Sequence, residues 1–187
     1  MIIGSDLDGC IFRTWEAMAK YAKDFGYNVE YSDIYSYNSF LPEEIIQEAV
    51  KYALSRQYLP TMPGTEVIVD WLSVISDELH FITHRPLDVI GHTITQLDPI
   101  IPYTKYKLHL VTDKFNKVAV INRHNIDYMI EDHPETIEQI YENTDCICLV
   151  YSHPWNRNVE EKDRVIRVKN WIEIREFFGV IKERSMI

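Results

Sequence analysis

Short apolar runs alternate along this chain with longer stretches in which apolar residues recur every three or four positions. That alternation predicts strands and helices in turn. Ile2-Ile3-Gly4 opens a first strand that runs out at Asp6. Arg13–Phe25 then sets Trp15, Met18, Ala19, Ala22 and Phe25 at helical spacing, and Gly26 ends the pattern. Tyr27–Phe40, rich in Tyr, Asn and Ser, fits neither period and is expected to be mostly loop. A second helix follows, with Pro42 in its first turn, Glu43 and Glu44 well placed for the helix dipole, and Ile45, Ile46, Ala49, Val50 and Ala53 turned inward. Met62-Pro63-Gly64 breaks the pattern. Beyond it the spacing predicts helix Thr65–Ser76, strand Leu79–Ile82, helix Asp88–Leu97, strand Tyr106–Val111 and helix Lys114–Arg123. Strand Tyr128–Ile130, helix Pro134–Asn143, strand Cys146–Val150, strand Val165–Val168 and helix Asn170–Phe178 complete the series.

Strands that alternate with helices and are apolar on both faces imply an α/β fold, a three-layer Rossmann-like parallel sheet with helices on both faces. Residues 13–60, helical and rich in aromatics, are expected to form a small helical cap inserted after the first strand. Residues 1–12 and 61–187 then make the core domain. At 187 residues the chain is long enough for one well-buried core.

Charge narrows the partners. The net charge is −10, spread along the chain, which argues against a nucleic acid polymer while leaving room for a small anion in a locally basic pocket. No run approaches the ~20 apolar residues of a membrane helix. The N-terminus lacks a basic, apolar and cleavable sequence of segments, so the expectation is a cytoplasmic protein without a membrane partner. The three cysteines have neither metal-ligand nor disulfide spacing. Cys146 and Cys148 read as buried thiols on one strand face, and Cys10 as a small residue beside the first acidic pair, with a reactive thiol as the alternative.

The chemistry gathers where strands end. Asp6 and Asp8 close the first strand, with Gly9 allowing a sharp departure that sets the two carboxylates side by side. Such a pair repels unless a cation neutralises it or one member keeps a proton. Thr83 and Arg85 follow another strand, and Glu131 and Asp132 a third. In parallel sheets ligands bind outside the carboxyl ends of the strands, so three polar groups at one edge outweigh any single motif. Arg85 suits either a bidentate contact with phosphate or an ion pair with a neighbouring acid. His84 and His133 read as local hydrogen-bonders.

The combination of Asp6-Leu7-Asp8-Gly9, Phe81-Ile82-Thr83, Lys117 in Phe115-Asn116-Lys117-Val118, and Ile130-Glu131-Asp132 resembles the haloacid dehalogenase (HAD) superfamily of phosphohydrolases. A short helical cap after the first motif, the Met62-Pro63-Gly64 return, Asp127–Pro134, and a tail with Tyr151–Asn156 followed by Arg167-Val168-Lys169-Asn170-Trp171 resemble its 5'(3')-deoxyribonucleotidase branch. The resemblance implies a small-molecule phosphomonoester substrate, with a nucleoside monophosphate preferred over a sugar phosphate. It implies Asp6 as nucleophile and Asp8 as general acid and then base, its pKa raised by crowding from Asp6 and Asp132. Mg²⁺ would be held by Asp6, by Asp8 through its backbone carbonyl, and by Asp132. Phosphate would be held by Thr83, Arg85 and Lys117, with Lys114 as the alternative lysine. Glu131 departs from the Asp that many relatives carry, which leaves open whether it touches metal. Trp15, Tyr35, Tyr37 and Phe40 are candidate substrate contacts from the cap, with cap core as the alternative for Trp15. Outside enzymology, the same residue set would also serve a non-catalytic phosphoacceptor module.

Overall fold

A computed structural model describes residues 1–34, 41–101, 105–112 and 114–184. Tyr35, Tyr37 and Phe40 lie outside the described residues. Six parallel strands form one sheet: β1 (Ile2–Ser5), β2 (Glu78–Thr83), β3 (Lys107–Leu110), β4 (Tyr128–Glu131), β5 (Ile147–Tyr151) and β6 (Val165–Val168). Their order is β3-β2-β1-β4-β5-β6. The connecting helices are α1 (Thr14–Asp24), α2 (Glu43–Leu54), α3 (Thr65–Ile75), α4 (Ile90–Leu97), α5 (Lys114–His124), α6 (Pro134–Asn143) and α7 (Trp171–Arg184). None of the described helices is long and apolar enough to cross a membrane.

Alternation along the strands explains the three layers, because successive side chains point to opposite faces. Ile3, Phe81, Ile130 and Leu149 pack on one face with Ile68, Val69 and Leu72 of α3 and Trp171, Ile174 and Phe178 of α7. Met129, Cys148 and Val150 pack on the other with Ile121 of α5 and Ile137 and Ile140 of α6. Both faces are covered, so the strands read as nearly continuous apolar runs. Cys146 and Cys148 share the second cluster as expected, and Cys10 is fully buried in the first.

Most predicted elements appear with ends moved by a residue or two. Two differ more. The stretch read as a helix from Asp88 begins as a 3₁₀ turn at Leu87–Val89 before α4. The last helix runs on to Arg184, since Phe178 marks the end of its buried stripe and not the end of its backbone ladder. Within the expected loop, Tyr31–Asp33 forms a 3₁₀ turn.

Residues 13–60 leave and rejoin the core at one point. Met62 N donates to Ile11 O at 2.8 Å and Arg13 N to Pro60 O at 2.7 Å, so the outgoing and returning strands of chain lie side by side. Between them α1 packs on α2 through small residues, with Ala17, Ala22, Ala49 and Ala53 all buried.

Register then sets the site. β1 lies between β2 and β4, with Ser5 opposite both Phe81 and Ile130. This is where the strand order reverses, the place at which open α/β sheets form a crevice. Because the strand ends are level there, Asp6, Thr83 and Glu131-Asp132 emerge at one edge, and Asp6 N donates to Ile130 O at 2.9 Å.

Candidate active site

Three buried carboxylates, from Asp6, Glu131 and Asp132, offer oxygens that all lie within 4.8 Å of one another. Lys117, reaching in from α5, has its Nζ 2.8 Å from Asp6 Oδ1 and 2.8 Å from Glu131 Oε2. Three acids therefore face one ammonium. Burial, opposed by Lys117 and reinforced by Glu131 and Asp8, pushes Asp6 up to about 7. Burial next to Glu131 and Asp6 raises Asp132 well above the carboxylate range. For Glu131 the cost of burial is outweighed by Lys117, and its pKa falls. Lys117 is held charged, its own burial overcome by Asp6 and Glu131.

This donor set fits a divalent cation. The surplus of buried negative charge needs a counter-ion, and carboxylate oxygens suit a hard one. Asp6 Oδ1 is buried, 2.8 Å from the Lys117 ammonium. Glu131 has less to offer. Its Oε1 accepts Asp132 N and His133 N at 3.0 Å each, and its Oε2 holds Lys117. The extra methylene lets it turn back on its own strand end and orient the lysine.

Asp8 occupies a different environment. Arg85 grips it in a fork, Nε to Oδ2 at 2.8 Å and Nη2 to Oδ1 at 2.7 Å, and Thr14 Oγ1 also donates to Oδ1. Burial alone would raise the Asp8 carboxyl, but Arg85 and the Thr14 hydroxyl more than offset it and the pKa is lowered. The expectation of a raised Asp8 is corrected here. Crowding by other acids acts on Asp6 and Asp132, while Asp8 has its own guanidinium.

Arg85 accordingly takes the second of its two roles, an ion pair with a neighbouring acid. It is 2 % exposed, and its third donor group, Nη1, reaches Gln96 Oε1 at 2.6 Å and Thr93 Oγ1 at 3.3 Å. Its fork points at Asp8. Thr83 is buried at the edge, its Oγ1 3.5 Å from Asp8 Oδ2, the outer limit of a hydrogen bond. The Lys114 side chain lies outside the described residues.

Several contributors lie in the tail that resembles the deoxyribonucleotidase branch, without a site role readable from their sequence. The segment after β5 folds back over the acidic edge: Trp155 Nε1 donates to Asp132 Oδ2 at 3.0 Å, and Asn156 Nδ2 donates to the carbonyls of Asp132 at 2.8 Å and Tyr151 at 2.7 Å. His153 stacks on Trp155 with centroids 4.1 Å apart. Its Nε2 lies 2.6 Å from Gly9 O, which can only accept, so Nε2 donates and Nδ1 accepts from Tyr31 OH, also at 2.6 Å. This neutral ring ties the Asp loop to the residue 31–33 turn, and burial pushes its pKa down to about 4.

Gly9 is required by geometry. At φ +87° it is in the left-handed region, and a Cβ there would stand 2.2 Å from Asp132 Oδ2. The glycine lets the Asp loop close onto Asp132. Above it lies a pocket of about 30 Å³ lined by Asp8, Gly9, Thr14, Trp15, Met18, Ile34, Asp132 and Trp155. Trp15 is half-buried with its ring 4.4 Å from that of Tyr31, and its Nε1 is buried without an acceptor among the described residues.

Comparison with known structures returns the same architecture. A haloacid dehalogenase-like family hydrolase from Xanthomonas campestris superposes with a TM-score of 0.67 at 13 % identity, covering 99 % of this chain and 97 % of its own. CbbY from Rhodobacter sphaeroides, solved in complex with phosphate, gives 0.60 at 12 % identity, over 92 % and 95 % of the two chains. A HAD-superfamily hydrolase from Ehrlichia chaffeensis gives 0.55 at 13 % identity, over 95 % of each. At such identities the likeness is one of fold. No curated protein sequence matches. A family model does, over residues 1–185, and its description is 5' nucleotidase, deoxy (pyrimidine), cytosolic type C protein. With a HAD-type sheet, an acidic edge at its reversal point and a match along almost its whole length, the chain belongs to this 5' nucleotidase family of phosphoric monoester hydrolases.

Proposed function

We propose that this protein is a Mg²⁺-dependent phosphomonoesterase that hydrolyses a (deoxy)nucleoside monophosphate through an aspartyl-phosphate on Asp6. The observation that carries the reading is the convergence of Asp6, Lys117, Glu131 and Asp132 on one buried point beside the clamped Asp8. Membership of a phosphohydrolase family sets aside the phosphoacceptor module. The family description, which includes the word cytosolic, supports both the nucleotide substrate and a cytoplasmic location.

In this reading Asp6 attacks phosphorus, the ester oxygen leaves with a proton, and water then releases phosphate. Lys117 lowers the Asp6 pKa against the effect of burial and offsets charge on the phosphoryl oxygens. Asp6, Asp132 and the Asp8 backbone carbonyl would hold the cation, which when bound neutralises the acidic cluster and the phosphoryl charge. Asp8 in the Arg85 fork is ionised, the form that accepts a proton from water. To protonate the leaving oxygen it must loosen that fork and take up a proton, as repulsion from an entering phosphate dianion would favour. Thr83 at the same edge, and the Trp15 indole N–H lining the pocket, would donate to substrate oxygens.

A panel of nucleotides and sugar phosphates, assayed for phosphate release with Mg²⁺ and with EDTA, separates these substrates. We expect nucleoside monophosphates to be preferred, with turnover lost in EDTA and in Asp6→Asn. Metal-independent turnover, or an active Asp6→Asn enzyme, would overturn the mechanism. Preference for a sugar phosphate would overturn only the substrate.

A further inference from the structure

Away from the acidic edge, three histidines from three elements meet at the sheet face covered by α5. His80 comes from β2, His109 from β3 and His124 from the last turn of α5. One ring nitrogen of each lies within 4.8 Å of the others. The ring centroids are 5.2 Å apart for His80 and His109, 4.9 Å for His80 and His124, and 5.0 Å for His109 and His124. This near-equilateral arrangement is not what packing alone favours, since imidazole seldom fills a core and three together crowd their dipoles.

The hydrogen bonds say which atoms face inward. His80 is fully buried, and its Nε2 lies 2.9 Å from Glu78 Oε2. A carboxylate only accepts, so Nε2 carries the proton and Nδ1 presents a lone pair. That Nδ1 is 3.1 Å from His109 Nε2. Two nitrogens on a tetrahedral zinc, each at 2.0–2.1 Å, stand about 3.3 Å apart, so the observed spacing is already close to that of two ligands. A carboxylate behind a ligating histidine is the usual means of fixing its tautomer. Here Glu78 is itself held by Lys107 Nζ at 2.6 Å. His109 and His124 are half-buried, which leaves a route from solvent and a fourth position for water.

We propose that His80, His109 and His124 form a binding site for a late first-row divalent metal, of which Zn²⁺ is the representative, with Glu78 as the outer carboxylate that orients His80. Three imidazoles suit zinc, copper, nickel or cobalt, whereas the all-oxygen acidic edge suits Mg²⁺. The two sites would therefore select different ions. The inference does not depend on the nucleotidase reading.

The test is equilibrium dialysis of the full chain against Zn²⁺ with excess Mg²⁺ present to occupy the acidic site, and metal counted by mass spectrometry. Co²⁺ serves as a spectroscopic stand-in. We expect one Zn²⁺ retained per chain and the strong visible absorption of tetrahedral Co²⁺. His109→Ala and His124→Ala should each weaken retention by at least about 100-fold, and Glu78→Gln by about 10–100-fold. His92→Ala, on an exposed face of α4, should change nothing. Circular dichroism separates a lost ligand from a lost fold, and Glu78→Gln keeps the test available if an alanine variant unfolds. No retained zinc, or retention equal in wild type, His109→Ala and His124→Ala, overturns the site and leaves a metal-free hydrogen bond between His80 and His109.

Discussion

Removing the Lys117 ammonium while keeping its stem, as in Lys117→Met, tests whether the acidic edge is organised as described. Lys117 is 3 % exposed and sits 2.8 Å from each of two buried carboxylates. At an effective dielectric constant of 20, each contact has a gross attraction of about 6 kcal/mol. Against this stands the lost hydration of three ions at several kcal/mol each, so the intact triad contributes little net stability. Removing one member is another matter. Asp6 and Glu131 would remain buried beside Asp132 without a counter-charge, at a cost of about 3–5 kcal/mol. The measurement is urea unfolding in EDTA at pH 8.5, above the Asp6 pKa of about 7 in the intact cluster. Loss of Lys117 raises Asp6 and Asp132 further, so proton uptake offsets part of the cost and the loss deepens as pH rises. Saturating Mg²⁺ should return part of the loss, about 2.7 kcal/mol at 100 times its Kd, because it binds only the folded cluster. Turnover should fall by about 100-fold or more, as when one donor to a developing phosphoryl charge is removed. A variant that loses less than about 1 kcal/mol in EDTA would refute the reasoning, since the acids could not then be ionised and packed as they are.

Two other outcomes follow from particular contacts. Gly9→Ala must relieve a 2.2 Å approach to Asp132 Oδ2 and adopt φ +87°, so it should cost at least about 2 kcal/mol by denaturation and abolish phosphatase activity. A stable, active variant would mean that the loop does not close onto Asp132. His153 bears on pH: its pKa falls from 6.5 unfolded to about 4 folded, so below 6.5 the unfolded chain binds more protons and stability drops as pH falls through that window. From pH 7 to pH 5 this one ring should account for about 2 kcal/mol. Urea titrations of wild type and His153→Phe should differ in slope by that amount, and parallel curves would count against a neutral, buried His153.

Much of the architecture was legible because it rests on short-range periodicity. Nearly continuous apolar runs such as Ile147–Tyr151 follow from a parallel sheet buried on both faces, and the helix stripes follow from the 3.6-residue turn. The acidic edge was legible too, since Asp6, Thr83 and Glu131-Asp132 each end a strand and parallel strands bring their carboxyl ends together. What the linear order could not convey was which neighbour each side chain chose.

Arg85 could face a phosphate or an acid, and its partner was decided by α4, which supplies Thr93 and Gln96 to hold the guanidinium toward Asp8. The direction of the Asp8 pKa reversed with that choice, because one desolvated fork outweighs diffuse repulsion from neighbouring acids. The sequence leaves open whether Glu131 touches metal; in the fold its Oε2 holds Lys117 and its Oε1 the backbone N–H of Asp132. His153, Trp155 and Asn156 lie in a family-like tail whose sequence assigns them no role, and the return of the chain after β5 places them over the Asp loop. Periodicity is a property of neighbours along the chain, so it is written in the order of the residues. Charge pairing and hydrogen-bond choice belong to residues separated by up to 161 positions, and only folding brings those within reach.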